Sequence, residues 1–583
     1  MAPVVLAPGL LNTPEVFGPQ ISELWPHGPA PVASKLEAIA RSSNGSQVKS
    51  LAGSGRVGYK RGARTIRVKT IPGSALMKAS ANLFDLVAAR AVAAPDHLAL
   101  EAGEASLTYA ELIARSGKAA SALVALGVAP GDRVAAQVEK SPDVVALALG
   151  CLRAGAALLP LNTAYTLAEV EYFLGDAEPA VTLCRPEALE AFRGLASKLG
   201  LRAVESLGVL RDGTFAERLA ASQPDFETVV RAADDLAAIL YTSGTTGRSK
   251  GAMLSHRNLS SNALTLVDFW RYMPADRLIH ALPVFHTHGL FVAINVALIA
   301  GATMIFQHRF DPDAVIAALP GATSLMGVPT FYTRLLDHPG LTREACASMR
   351  LFISGSAPLL AETHREWRER TGFAILERYG MTETNMIASN PYDGERRPGT
   401  VGFALPGVSL RISDPESGLP APKGETGVIE VKGPNVFKGY WRMPEKTAQE
   451  FRPDGYFITG DLAREDEDGY IHIVGRAKDL VISGGFNVYP KEVESELDAI
   501  EGVLESAVFG APHPDFGEGV TAVVVLRPGA ELTEAAILTA LGDRLAKFKA
   551  PKRVFLVDSL PRNTMGKVQK AMLRETYRAI YSA

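Results

Sequence analysis

The chain has 583 residues, of which 47% are hydrophobic and 21% charged, and its formal net charge is −3. This length exceeds what one hydrophobic core usually supports, so we expect at least two domains in an ordinary globular protein. The small net charge gives no reason to expect nucleic acid or an anionic membrane as a partner. Three cysteines lack the spacing of metal ligands, and their odd number favours a reducing, cytoplasmic compartment: Cys151, Cys184 and Cys346.

The first 78 residues are predicted to stand apart from the folded protein. Residues 41–73 contain eight basic side chains and no Asp or Glu, among many Ser and Gly. Such a composition buries too little apolar surface to order itself. We therefore expect a disordered extension or an over-long start assignment, with Met77 as an internal candidate start. A presequence is the alternative, because acid-poor, Arg-rich stretches resemble transit peptides.

Strand-like and helix-like segments alternate from about residue 82 onward. This alternation predicts a mainly parallel sheet that helices cover on both faces. Thr108 is expected to cap the helix that Tyr109 opens. The predicted units are helices at 143–153 and 167–176, with strands at 131–135, 156–160, 180–184, 278–283, 322–327 and 349–354.

Residues 289–306 contain no charged side chain, which is close to the length that crosses a bilayer. Asn295 lies inside this run and Gly301 interrupts it. The pattern therefore favours a buried helix followed by a buried strand at 302–306.

After about residue 398 the chain consists of short strand-like pieces with Gly and Pro turns, which indicates a small barrel or sheet module. We predict an α/β fold with a large N-terminal domain of parallel-sheet α/β subdomains plus this small β-barrel-like module, at 79–477. A small, mobile C-terminal α+β domain is expected at 478–583. Its predicted elements are strands at 506–509 and 521–526 and a helix at 534–547.

A loop rich in glycine and hydroxyl side chains lies between the apolar segments 236–240 and 252–254. Glycine lets the backbone approach a ligand closely, and the hydroxyl and N–H groups are donors for phosphate oxygens. Lys250 is followed by Gly251, whereas the Walker A pattern needs Ser or Thr there. The loop is thus predicted to hold a polyphosphate in another way, with a flexible linker as the alternative. The candidate residues are Thr242, Ser243, Gly244, Thr245, Thr246, Gly247 and Lys250.

Four further clusters carry side chains suited to chemistry. Each is weak evidence alone, because such groups are more often solvated surface residues. They are Phe285-His286-Thr287-His288-Gly289, Tyr379-Gly380-Met381-Thr382-Glu383-Thr384, Tyr456-Phe457-Ile458-Thr459-Gly460-Asp461 and Pro561-Arg562-Asn563-Thr564-Met565-Gly566-Lys567.

The order and wording of these five motifs resemble the adenylate-forming superfamily of acyl-CoA synthetases, adenylation domains and luciferases. The resemblance covers roughly residues 82–580. Within the family the wording is most similar to malonyl-CoA synthetases, notably at 161–166, 328–334 and 377–385. It implies that malonate attacks the α-phosphate of ATP to give an acyl-adenylate and pyrophosphate, and that coenzyme A then displaces AMP.

The resemblance also implies a role for each motif. Lys567, Thr382, Glu383 and His286 would be catalytic, and Glu383 would bind Mg²⁺, which prefers carboxylate and phosphate oxygens. Lys567 would stabilise charge at the α-phosphate. The other implied ATP-binding residues, for adenine, ribose and phosphate, are Gly355, Ser356, Ala357, Glu377, Arg378, Tyr379, Gly380, Asp461 and Arg476.

Two half-reactions on one set of surfaces imply a moving domain. The hinge position that matches the family is Lys478, and the coenzyme A channel would be lined by Gly484, Gly485 and Phe486. The family resemblance also implies that a lysine acyltransferase modifies Lys567.

A short dicarboxylate brings a second charge into the pocket, and an unpaired buried charge is very costly. The pocket therefore needs a cation, preferably the planar fork of an arginine. Our candidate is Arg334, with His286 and Ser354 as hydrogen-bonding partners; the alternative is that Arg334 pairs with a surface acid such as Asp337. The residues leave open another short or aryl acid, methylmalonate, a carrier-loading domain, a luciferase-type oxygenase and a non-enzymatic ATP-binding regulator.

Overall fold

The computed structural model describes residues 80–581, apart from 243–248, 416, 485, 543 and 564–565. The predicted extension at 1–78 therefore lies outside the described residues. So do Ser243 to Gly247 of the predicted phosphate loop, and Gly485.

The strands are numbered here in chain order. They are β1 (Leu98–Glu101), β2 (Leu107–Thr108), β3 (Arg133–Gln137), β4 (Ala157–Pro160), β5 (Val181–Cys184), β6 (Ala203–Ser206), β7 (Leu236–Thr242), β8 (Lys250–Ser255), β9 (Arg277–His280), β10 (Thr303–Phe306), β11 (Ser324–Gly327), β12 (Leu351–Ser354), β13 (Leu376–Met381), β14 (Asn385–Ser389), β15 (Phe403–Ala404), β16 (Ser409–Ser413), β17 (Gly427–Lys432), β18 (Phe457–Glu465), β19 (Ile471–Arg476), β20 (Val481–Ser483), β21 (Phe486–Val488), β22 (Val503–His513), β23 (Gly517–Leu526) and β24 (Arg553–Leu556).

The α-helices are numbered in the same way. They are α1 (Phe84–Ala93), α2 (Tyr109–Ala125), α3 (Pro142–Arg153), α4 (Leu167–Ala177), α5 (Leu189–Leu199), α6 (Thr214–Ala221), α7 (His256–Phe269), α8 (Asn295–Ala300), α9 (Pro312–Ala318), α10 (Pro329–Leu336), α11 (Ala361–Thr371), α12 (Pro444–Gln449), α13 (Pro490–Asp498), α14 (Glu534–Gly542) and α15 (Lys570–Thr576).

Two large sheets form the core of the part of the chain between Leu98 and Ala404. One has the order β6-β5-β3-β4-β7-β8 and is parallel except for the β7–β8 pair. The other has the order β15-β14-β13-β12-β11-β9-β10-β1-β2 and is parallel from β1 to β13. The predicted α/β alternation is therefore confirmed, with its strands divided between two sheets.

Local sequence signals set several helix starts. Thr108 caps α2 and Glu111 returns a hydrogen bond to its backbone, so the predicted cap is a full capping box. Thr166 and Glu169 repeat the arrangement at α4.

The uncharged run at 289–306 folds as a buried helix and a buried strand, as the sequence predicts. Its first part, His288–Ile294, is a π-helix that continues into α8. Gly301 then takes a left-handed φ of 83° and turns the chain into β10. Among the described helices, none is both long and apolar enough to span a bilayer.

The predicted small β module is an antiparallel sheet with the order β16-β17-β18-β19. Asp461 lies inside β18, which continues to Glu465. Gly460 has a φ of 72°, and the pairing of β17 with β18 shifts register beside it, so the strand passes Asp461 through a bulge.

The small C-terminal domain has its own sheet, β21-β20-β23-β22, with β24 beside β23. Separate apolar clusters cover its two faces. The helix predicted at 534–547 is shorter, because α14 ends at Gly542. Glycine is a weak helix former and is common where helices end.

Candidate active site

Several predicted site residues meet at one edge of the nine-stranded sheet. Ser354 ends β12, Tyr379 lies near the end of β13, and His286 follows the end of β9. These are carboxyl ends of parallel strands, where ligands of open α/β sheets usually bind. The fold thus gathers residues that are far apart in the chain.

The base of the predicted phosphate loop is held by strand pairing. Thr242 lies opposite Lys250, and its hydroxyl donates to the Lys250 carbonyl oxygen at 3.4 Å. The Lys250 ammonium lies 3.4 Å from Glu450 Oε1 and 4.1 Å from the centre of the Tyr440 ring. Lys250, at the C-terminal end of the loop, therefore brings a cation close to the edge of the site.

Glu383 is buried in the turn between β13 and β14, beside the half-buried Thr382. The Tyr440 hydroxyl donates to Glu383 Oε1 at 3.1 Å. Burial raises the pKa of Glu383, while hydrogen bonding and the nearby Lys250 act in the opposite direction. The carboxylate keeps acceptor capacity for a cation.

This donor set fits Mg²⁺, which is usually held by one or two carboxylates together with phosphate oxygens and water. Across the described residues, no cluster of three or more His, Cys, Asp or Glu could enclose a metal ion by itself. Glu383 would therefore hold the ion as part of a site that phosphate completes.

A charged network lies where the ribose is expected. The Tyr379 hydroxyl donates to Asp461 Oδ2, and Arg476 Nε lies 2.9 Å from Asp461 Oδ1. The Asp461 carboxylate raises the pKa of both neighbours, and burial is the larger cause for Tyr379. Gly380 is required beside them, because any side chain would collide with the backbone of Asn385.

Lys567 reaches this network from the small domain. Burial and the Arg476 guanidinium lower the pKa of Lys567, whereas Asp461 acts in the opposite direction. The preceding Gly566 has a φ of 73°, and a Cβ there would lie 2.9 Å from Thr330 Oγ1 on α10. Gly566 thus packs against the first turn of α10, and Lys567 is directed to the site.

The most buried cation of the site is Arg378 on β13, which is only 3% exposed. Its guanidinium packs directly on Gly355, where any side chain would collide with it. Burial lowers the pKa of Arg378 to about 9. Arg378 forms no ion pair with any described residue, and its Nε and Nη2 have no hydrogen-bond partner there.

Two histidines lie beside this guanidinium. Burial and then Arg378 lower the pKa of both His286, to about 4, and His288. His286 Nδ1 accepts from the His288 backbone N–H at 3.2 Å, and His288 Nδ1 shares a hydrogen bond with Ser356 Oγ at 3.2 Å. His288 Nε2 and Ser354 Oγ are buried without a described partner. The cluster therefore combines neutral imidazoles with the Arg378 cation, and its unpartnered N–H and O–H groups can donate to a ligand.

Glu377 precedes Arg378 and points to the opposite face of β13. It accepts from the Leu359 backbone N–H at 3.1 Å, and burial raises its pKa to about 8. Its Oε2 has no partner within the described part of the chain. A neutral Glu377 can donate a hydrogen bond as well as accept one, and its partner Leu359 directly follows the segment 355–358, which includes the half-buried Ala357.

The remaining predicted residues lie at the surface. Arg334 is exposed on α10, and no ion pair joins it to Asp337 or to another described residue. Lys478 is exposed in the single 3₁₀ turn Ala477–Asp479 that links β19 to β20. Gly484 and the exposed Phe486 flank a turn of the small-domain sheet. Their predicted roles stay predictions.

Sequence reasoning missed three features of the site. It placed Arg378 among the ATP-binding residues and did not consider it for the acid, and it gave no role to His288 or Tyr440. The sequence did contain a signal for Arg378, because two adjacent charged residues, Glu377 and Arg378, directly follow the apolar residues 374–376. Tyr440 had no such signal, because its neighbours Lys250 and Glu383 come from other segments.

Comparisons with known proteins identify the family of the chain. The sequence model of the family described as AMP-binding enzyme matches residues 87–441, and that of the AMP-binding enzyme C-terminal domain matches 492–567. The crystal structure of ATP-bound MatB from Rhodopseudomonas palustris superposes with a TM-score of 0.84 at 62% identity, and covers 86% of this chain and 100% of that chain.

Two curated relatives carry names that mention substrates. A feruloyl-CoA synthase from an Amycolatopsis species is 37% identical over 492 residues, which is 84% of this chain and 97% of the relative. A malonate–CoA ligase from Arabidopsis thaliana is 35% identical over 484 residues, or 77% of this chain and 79% of the relative.

Proposed function

Because the chain belongs to the AMP-binding enzyme family and is an AMP-forming acyl-CoA synthetase, which uses ATP and coenzyme A, we propose that its acid substrate is malonate. The proposed product is malonyl-CoA. The observation that carries this choice is the buried guanidinium of Arg378, for which the described residues supply no anion.

A buried and unpaired charge is strongly destabilising, so such a group is expected to meet its partner in a ligand. A guanidinium matches a carboxylate through two parallel N–H···O bonds. Nε and Nη2 of Arg378 lie on one edge of the guanidinium, the edge that this pairing uses, and both are buried without a partner among the described residues. An aryl acid has no second carboxylate to offer there, whereas malonate has one.

The size of the acid also favours malonate. Burial lowers the pKa of His286 most, and the charges of Arg378 and then Lys567 lower it further, so one imidazole lies within electrostatic reach of both cations. We propose that the acid binds Arg378 at one end and reacts beside Lys567 at the other, as a short dicarboxylate would. His286 and Ser354 would serve this acid as neutral hydrogen-bonding groups.

In the first half-reaction, one malonate oxygen attacks the α-phosphorus, and the bond to pyrophosphate breaks. Catalysis of such a step requires positioning and charge stabilisation more than a covalent group. Lys567 and Thr382 would stabilise the α-phosphate, and Lys250 would neutralise the leaving pyrophosphate. Mg²⁺, when bound at Glu383, would supply further positive charge to the phosphates.

Tyr379, Asp461 and Arg476 would hold the adenosine. The Asp461 carboxylate already accepts from Tyr379 and contacts Arg476, and its remaining lone pairs are available to ribose hydroxyls. Tyr379 would then present its ring to the adenine.

In the second half-reaction, the coenzyme A thiol attacks the acyl carbon, AMP leaves and the thiol proton goes to solvent. We propose that the small domain turns about Lys478 for this step, and that Gly484, Gly485 and Phe486 line the thiol channel. Burial lowers the pKa of Lys567 and so raises the fraction of its neutral amine, the form that accepts an acyl group, which supports our proposal that a lysine acyltransferase modifies it.

The test is coenzyme A-dependent AMP formation with a panel of acetate, malonate, methylmalonate, succinate and benzoate. We expect the highest kcat/KM with malonate. The feruloyl-CoA synthase relative makes an aryl acid the competing substrate, so a higher kcat/KM with benzoate than with malonate would overturn the proposal.

A further inference from the structure

Tyr440 lies between Lys250 and Glu383, the two groups predicted to bind the phosphates and Mg²⁺. Tyr440 is 3% exposed and lies beyond β17, outside all five motifs identified from the sequence. The Lys250 ammonium lies over its face, 4.1 Å from the ring centre. Its hydroxyl donates to Glu383 Oε1 at 3.1 Å. One side chain thus contacts both the predicted phosphate lysine and the predicted metal carboxylate.

The backbone of Tyr440 is fixed to the strand that follows the phosphate loop. The N–H of the next residue, Trp441, donates to the Gly251 carbonyl at 2.7 Å, and Tyr440 itself bridges to Ala252. The ring also packs edge-on against Phe437, at 4.9 Å between centres. These contacts fix the backbone of Tyr440 beside that of β8, the strand that Lys250 opens.

The two contacts differ in their physical nature. The face of an aromatic ring attracts a cation, and this contact needs no hydroxyl. The hydroxyl donates to a carboxylate, and such charge-assisted bonds are stronger than neutral ones. Burial and the Glu383 charge raise the pKa of Tyr440, so the hydroxyl keeps the proton that it donates.

The other partner of Lys250 holds it less firmly. Glu450 Oε1 is 3.4 Å from Lys250 but 2.8 Å from Lys446, so its charge is shared between two lysines. A phosphate can therefore draw Lys250 away from Glu450 while the ring still supports the ammonium from below.

We propose that Tyr440 is a positioning residue that sets Lys250 for the β- and γ-phosphates through its ring and Glu383 for Mg²⁺ through its hydroxyl. This inference rests on the nucleotide half of the proposed function and is independent of the choice of malonate.

Two substitutions separate the roles. Tyr440→Phe keeps the ring and removes the hydroxyl, whereas Tyr440→Leu removes both. ATP binding is measured by calorimetry on the full chain without any acid, first in EDTA and then at increasing Mg²⁺. Tyr440→Phe should bind ATP in EDTA within about twofold of wild type and need about tenfold more Mg²⁺ for half-maximal tightening. Tyr440→Leu should also bind ATP about tenfold more weakly in EDTA.

The matched control is Tyr456→Phe. Tyr456 lies just before β18, where its hydroxyl bonds Ser409 and its ring stacks with Arg411 rather than with site residues. This variant should leave both ATP binding and the Mg²⁺ requirement unchanged. A Tyr440→Phe variant with the wild-type Mg²⁺ requirement would overturn the inference. So would equal losses of ATP affinity in EDTA for Phe and Leu, which would mean that Tyr440 only supports the fold.

The outcome for malonate is read separately. If the acid panel favours another acid while the two Tyr440 variants split as expected, the proposed substrate fails and the role of Tyr440 stands. If malonate is the preferred acid but the variants do not split, the substrate stands and the role of Tyr440 fails.

Discussion

Arg378→Met removes the charge that the proposed acid pocket depends on, while it keeps an apolar side chain of similar length. The ion pair between Arg378 and a malonate carboxylate would be buried and hydrogen-bonded. Losing one member of such a pair typically costs about 2–5 kcal/mol of binding free energy. At 1.4 kcal/mol per factor of ten, the KM for malonate should rise by about 30-fold to several thousand-fold. The KM for ATP should change little, because Tyr379, Asp461 and Lys250 are untouched.

The same substitution should stabilise the acid-free enzyme. Burial lowers the pKa of Arg378 to about 9, so the folded protein holds this cation at an energetic cost. Replacing buried ionic groups by apolar ones of similar volume often stabilises a protein by about 1–4 kcal/mol. We therefore expect a higher melting temperature together with a weaker response to malonate. A variant that merely misfolds would show a lower melting temperature instead.

Arg334→Met is the matched control, because Arg334 is exposed on α10. Steady-state AMP formation at saturating ATP and coenzyme A, with malonate varied, compares the two variants. The reasoning is refuted if Arg378→Met leaves the KM for malonate within about twofold of wild type. A large increase for Arg334→Met instead would restore Arg334 as the clamp that the sequence suggested.

Two further predictions concern catalysis and pH. Lys567→Ala should abolish pyrophosphate release from malonate and ATP but leave thioester formation from supplied malonyl-adenylate largely intact; equal loss of both half-reactions would contradict domain alternation. Because burial raises the pKa of Glu377 from 4.5 to about 8, the folded state binds the extra proton and wild-type stability should fall as pH rises between these values. Glu377→Gln cannot titrate, so its melting temperature should fall less over this range, and parallel melting curves would show that Glu377 does not titrate as described.

The sequence predicted the fold well where local patterns decide it. Apolar runs such as 156–160 and 180–184 became buried parallel strands, and the Thr108 cap formed as expected. The division of the strands between two sheets was not predicted, because strand order depends on contacts between distant segments. The end of α14 and the bulge at Gly460 were missed because they depend on one residue each.

The sequence offers more for the nucleotide half of the candidate site than for its acid half. The nucleotide residues lie in contiguous motifs, so their wording sufficed for a hypothesis. The choice of arginine for the proposed acid pocket depends on which of Arg334 and Arg378 is buried, and the sequence does not show this. The structure buries Arg378 and exposes Arg334, so the physical argument first made for Arg334 now applies to Arg378.

A competition between acids tests the central claim most directly. The enzyme is given malonate, ferulate and acetate at equal concentrations with limiting ATP and coenzyme A, and the thioesters are quantified by mass spectrometry. We predict that malonyl-CoA is the dominant product, and that this preference is lost in Arg378→Met. Dominant formation of feruloyl-CoA or acetyl-CoA by the wild-type enzyme would contradict the proposal.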